Sequence, residues 1–134
     1  MATGQGQADW SAIRASGGSY PQAAFDFVRE GLAVTVARLH ADESLPELAR
    51  HVTGQQLCLG LRDHALERWG MLAPTVLDSW NIHRTDDFGR IVFALIEHGQ
   101  LSKTPQDTLE DFRAVYDFDE AFATSAVVER FATP

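Results

Sequence analysis

Between Thr85 and Gly99 the chain places Phe88, Ile91, Val92, Leu95 and Ile96 at the i, i+3, i+4, i+7, i+8 spacing of a single apolar helical stripe. A stripe this wide is stable only against another apolar surface, so the rest of the chain must supply one. Thr85 stands where an N-cap belongs, Asp86 and Asp87 fall in the first turn, and Gly99 provides a stop. This segment constrains the fold more than any other: it requires a helix with a packed face.

The same reasoning gives further helices. Residues 9–15 read as a short helix with Trp10 and Ile13 on one side, ended by Ser16-Gly17-Gly18-Ser19. Ser19-Tyr20-Pro21 opens a second, with Ala24, Phe25, Val28 and Leu32 at helical steps to about Gly31. Thr53 caps a third through Trp69, with Gly70 as its stop, and a shorter one follows at residues 74–80. Asp119 caps a last turn carrying Phe122.

The β-branched run Val34-Thr35-Val36 predicts a strand over residues 33–39, against the reading in which the helix runs on to His40. Residues 41–46 read as a turn and 50–52 as a short extended piece. Residues 101–103 and 112–118 alternate like strands around a loop at 105–111. Phe25-x-x-Val28-Arg29-Glu30-Gly31 and Phe93-x-x-Ile96-Glu97-His98-Gly99 are alike, which suggests helix, strand, strand, helix used twice about a pseudo-twofold axis. The expected fold is therefore α+β, a helix-dominated single domain with two short β-hairpins and a pseudo-twofold internal repeat. An all-α bundle is the alternative. Residues 1–18 are expected to be a flexible N-terminal segment with a short helix, and 19–134 a single globular domain.

Several motifs carry a resemblance. They are Tyr20-Pro21-x-x-Ala24-Phe25-x-Phe27-Val28, His51-Val52-Thr53-Gly54-Gln55-x-Leu57, Ala65-Leu66-Glu67-x-Trp69-Gly70 and Val76-Leu77-x-x-Trp80-x-Ile82. Thr85-x-Asp87-Phe88-Gly89-x-Ile91-Val92-Phe93, Lys103-Thr104-x-x-Asp107, Asp111-Phe112 and Tyr116-Asp117-Phe118 complete the set. Over about residues 20–122 the chain resembles an uncharacterised family of short repeat proteins from planctomycete and verrucomicrobial bacteria. Asn81 stands where that family has Gly. The resemblance implies a bacterial cytoplasmic setting and a repeat, and it brings no activity, cofactor or site residues.

Charge narrows the partners. The net charge of −8, from 19 acidic and 11 basic residues, disfavours nucleic acid and anionic membranes, which bind through Lys and Arg. With Cys58 as the single cysteine, no intrachain disulfide can form. Residues 1–20 lack the apolar run of a signal peptide, and no stretch is long and apolar enough to span a bilayer, so a cytoplasmic location is expected.

Chemistry-bearing residues are present but do not converge. The five histidines, His40, His51, His64, His83 and His98, include no metalloprotease-like pair at i, i+4. His64 and Glu67 share a helix face. Cys58 sits in an apolar helix and reads as a small buried hydrophobe. Asp87-Phe88-Gly89 spells a kinase metal-binding tripeptide without the other kinase elements. The acidic stretch near residues 105–120 gives the candidate interaction surface Asp107, Glu110, Asp111, Tyr116, Asp117, Asp119 and Glu120. These features favour a protein-interaction or adaptor module with no cofactor, a basic protein partner, and homo-oligomerisation as an option. One alternative is a metal-dependent hydrolase-like enzyme using histidines and acidic residues. Another is a winged-helix-like regulator built on residues 74–80, 86–98 and a hairpin at 100–117, although that helix offers only Arg90 as a cation.

Overall fold

The computed structural model describes residues 1–4, 9–40 and 51–132. Helices dominate: α1 (Trp10–Gly17), α2 (Gln22–Leu39), α3 (Gly54–Trp69), α4 (Ala73–Ser79), α5 (Thr85–Glu97), α6 (Phe118–Ala121) and α7 (Thr124–Ala132). Single 3-10 turns span Gly70–Leu72 and Leu109–Phe112. The extended structure is a minimal antiparallel ladder of β1 (Ala2–Thr3) on β2 (Leu101–Ser102), pairing Ala2 with Ser102 and Thr3 with Leu101. Among the described residues no helix is long and apolar enough to cross a membrane.

The helix-dominated part of the expectation holds, and the two hairpins do not; the chain fits the all-α alternative better. Residues 33–39 continue α2 instead of forming a strand. Thr35 donates its hydroxyl to the Gly31 carbonyl, four residues back, at 2.7 Å. Thr35 is also buried together with Leu32, Gly31 and Val28, so tertiary packing on a helical period overrides the weak β preference of Val-Thr-Val. Residues 112–118 form no strand either. Their alternation reflects a 3-10 turn, an irregular bend, and then α6, which Asp117 rather than Asp119 caps. The strand at 101–102 is present, as is the helix carrying Trp10 and Ile13. The expected turn at 41–46 and residue 50 lie outside the described residues.

The caps explain where the helices begin and end. Asp9 accepts from the Ala12 amide at the start of α1. Thr53 and Gln56 form a reciprocal capping box on α3, with bonds of 3.1 and 2.9 Å. At the end of α5, Gln100 N–H reaches the Leu95 carbonyl (2.8 Å) and Gly99 N–H that of Ile96 (3.1 Å), with Gly99 left-handed at φ 75°. α4 ends the same way: Ile82 bonds Leu77 and Asn81 bonds Asp78, both at 3.0 Å, with Asn81 at φ 63°. Asn81 is thus left-handed, a conformation that Asn tolerates best after Gly.

This geometry separates the two similar motifs. Gly99 turns the chain, whereas Gly31 lies mid-helix, where an added Cβ would strike a Leu61 side-chain methyl. Neither half of the described residues contains the expected helix–hairpin–helix unit. α2 and α3 pack closely on both sides of their contact, since a Cβ at Gly60 would meet the Thr35 hydroxyl and sit 3.0 Å from the Thr35 Cβ. Gly60→Ala is therefore expected to destabilise the fold by about 1–3 kcal/mol through overpacking. Adding Thr35→Ala should recover part of that loss, as read from urea denaturation of the two single variants and the double.

One core joins these elements. Phe25, Phe27, Leu32, Leu57, Leu61, Phe88 and Ile91 are buried in it. Met1 and Ile13, from the segment set apart in sequence as residues 1–18, lie in the same core. Phe27 packs on Trp69, Trp80, Phe88 and His64, with ring centroids 5.2, 5.7, 6.5 and 5.5 Å away.

Candidate functional site

Each residue of the tripeptide Asp87-Phe88-Gly89 has a structural task. Asp87 is buried at the start of α5, where its carboxylate accepts from the backbone N–H of His83 (2.8 Å) and Arg84 (3.2 Å), from the Tyr20 hydroxyl and from Arg90 (2.6 Å). Burial works against its charge, but these donors outweigh burial and hold the carboxyl below its ordinary range. Tyr20, buried and bonded to that carboxylate, is pushed up to about 12. Phe88 is in the core. Gly89 makes room for Phe112, whose Cβ would lie 2.8 Å from an added methyl.

Thr85, expected as the cap, serves the neighbouring loop instead, and Asp87 takes over the amides ahead of the helix. The Thr85 hydroxyl is fully buried; it donates to the Phe112 carbonyl (2.7 Å) and accepts from Val115 N–H (3.0 Å). Asp86 accepts from Ala114 N–H (3.3 Å), and the Tyr116 hydroxyl donates to the Cys58 carbonyl (2.8 Å). Segment 112–116 is thus fastened to α5 and α3, with Ala114 forced to φ 46°.

Fastening this segment leaves a groove between it and the α4–α5 connection. Two adjoining depressions of about 420 and 470 Å³ share His83, Phe118 and Asp119. The first continues along Arg84, Asp86, Tyr116 and Asp117, the second along Pro74, Asp78 and Ile82. His83 is held on both sides of its ring. Nδ1 lies 3.1 Å from Asp78 and Nε2 2.9 Å from the side-chain Oδ1 of Asn81, while the Asn81 side-chain Nδ2 donates to the Ser19 hydroxyl (3.0 Å). Phe118 stacks on Tyr116 (5.8 Å between centroids, 22° between planes) and meets Phe122 edge-on at 5.3 Å.

The acidic stretch divides. Asp117 and Asp119 line the groove together with Tyr116, and exposed Glu120 borders a third depression beside Tyr116, Asp117, Arg62 and Arg130. Asp107 does not belong to an interaction surface. It is buried, accepts from Thr104 N–H (2.9 Å) and pairs with the Met1 ammonium (3.0 Å). Burial opposes its charge, yet these bonds keep its carboxyl low. Asp111 closes the turn on Thr108 N–H (3.0 Å), and exposed Glu110 pairs with Arg113 (3.2 Å); neither lines the groove. Sequence reasoning missed the opposite wall, where Asp78, His83, Arg84 and Asp86 are spread over two helix ends. The signal that a tight bend brings them together is Asn81, a residue type that readily takes the left-handed conformation found there.

The remaining candidates are engaged elsewhere. Burial, and secondarily the charge of Asp86, pushes the Cys58 thiol up to about 12, far from a reactive thiolate. Glu67, expected to share a face with His64, pairs with Arg38 (2.7 Å) and Arg130 (3.5 Å). His64 lies 3.4 Å from Glu30 and stacks on Phe27. No group of three metal-donor side chains occurs among the described residues. Residues 100–117, the would-be wing of a winged helix, form no hairpin.

No protein-family model matches the chain, and neither a curated protein nor a solved structure does.

Proposed function

We propose that this protein is a non-enzymatic interaction module that receives a segment of a partner protein in the groove between the α4–α5 connection and residues 114–119. The observation that carries this reading is the placement of unfavourable backbone. Among the described residues, the non-glycine left-handed ones are Asn81 and Ala114: Ala114 lines this groove, and the Asn81 side chain holds His83, which lines it too. Asn81 ends a helix in a conformation that Asn tolerates, but for Ala114 the conformation costs free energy and persists because the surroundings hold it, as is characteristic of binding sites. Thr85, Asp86 and Asp87 supply that hold here, so the groove is built before any partner arrives.

The hydrolase alternative finds less support, because His83 is committed to Asp78 and Asn81, and His40 donates to the His51 carbonyl at 2.7 Å. The reading is tested by placing a photo-crosslinking amino acid at Asp119, in the groove, or at exposed Lys103, outside its lining, in cells of the source organism. A discrete adduct from position 119 that is missing from 103 is expected. The same adducts from both positions, or none from 119, would overturn it.

A further inference from the structure

The groove is not neutral, and its charge indicates what it takes. Asp119 touches both depressions and has no ion-pair partner among the described residues. Asp117 and Asp86 flank it in one depression and Asp78 in the other. Against these carboxylates stand two basic side chains, and one of them, His83, already spends a ring nitrogen on Asp78. The walls between the charges are aromatic: Phe118 is shared by both depressions, and the stacked Tyr116 borders the first. Tyr116 shows such a pairing within this chain, since Phe118 stacks on it and the Arg62 guanidinium lies 6.0 Å from its ring centroid; the ring that lines both depressions is Phe118.

Carboxylates beside aromatic faces suit a planar, weakly hydrated cation, which forms bidentate bonds with the former and stacks on the latter. Resting on the docking role proposed above, we infer that the occupant is an extended, arginine-bearing segment of a partner protein. Same-side side chains of an extended segment lie about 7 Å apart, and two adjoining depressions accommodate consecutive ones. Arg84 is the exception on this wall and sets polarity: it faces the acceptor groups of the segment, while Asp117 and Asp119 face its guanidinium groups.

The test is fluorescence anisotropy of the full chain with a labelled short peptide alternating arginine and glycine, and with its glutamate counterpart. The arginine peptide is expected to bind, to weaken as salt rises, and to ignore the glutamate peptide as competitor. Asp117→Asn with Asp119→Asn should weaken binding roughly tenfold, since Asn keeps the α6 cap while removing charge. Glu110→Gln, acidic but outside the groove, should leave binding unchanged. Equal or tighter binding of the glutamate peptide, or no effect of the double variant, overturns the inference. Crosslinking at position 119 that captures a partner and resists excess arginine peptide overturns the charge assignment alone and leaves the docking site standing.

Discussion

Asp87→Ala is expected to destabilise the protein by about 3–4 kcal/mol, enough to lower its melting temperature by roughly 10 °C or more. The variant leaves the His83 and Arg84 amides without their acceptor and strands the Tyr20 hydroxyl in the interior. Losing a cap costs about 1 kcal/mol, and each abandoned buried donor about 1–3 kcal/mol. Tyr20→Phe, which removes a donor and leaves the carboxylate its other three partners, should cost only about 1 kcal/mol. Acid denaturation distinguishes the charge from the shape. The folded state holds the Asp87 carboxyl low, so its contribution is fully present above the ordinary aspartate value of about 3.9. It disappears as pH falls through the lower folded value. Asp87→Asn should therefore be less stable at neutral pH and lose less than the parent as the pH falls below the ordinary aspartate value.

Phe27→Ala should be at least as damaging, at about 3–5 kcal/mol. Phe27 is 1% exposed and sits among Trp69, Trp80, Phe88 and His64, rings contributed by α3, the end of α4, and α5. Removing it opens a space bounded by rigid rings on three elements, which cannot all move in to fill it. Phe27→Leu, keeping much of the volume, should lose distinctly less. Urea denaturation gives the stability difference, and the fluorescence of Trp69 and Trp80 reports the loosened packing at the same time.

Helices with an uninterrupted apolar period were legible in sequence. Phe88 to Ile96, Leu57 to Leu66 and the Thr53 and Gly99 boundaries all follow from spacing and capping chemistry. The errors share a physical origin, because local preference was outvoted by distant partners. Val34-Thr35-Val36 stays helical because Thr35 faces Gly60 of α3, a neighbour the local sequence does not reveal. Thr85 resembles a cap in its own segment, but its hydroxyl serves Phe112 and Val115, 27 and 30 residues away. The groove was half legible. Asp117, Asp119 and Tyr116 are close in sequence, while the facing wall depends on the reversal at Asn81. Asp107 shows the limit of reading charge as surface, since a buried carboxylate and a solvated one look alike in sequence.

The β1–β2 ladder joins Ala2 to Ser102 and is only two residues long on each strand. Closing a loop of that span costs entropy that so few bonds cannot repay until the intervening helices have assembled. During synthesis, Ala2 and Thr3 therefore stay unpaired until Leu101 and Ser102 have been made. Once formed, the ladder should govern how long the native state survives rather than how quickly it is reached, since contacts made after the rate-limiting barrier act on the unfolding rate.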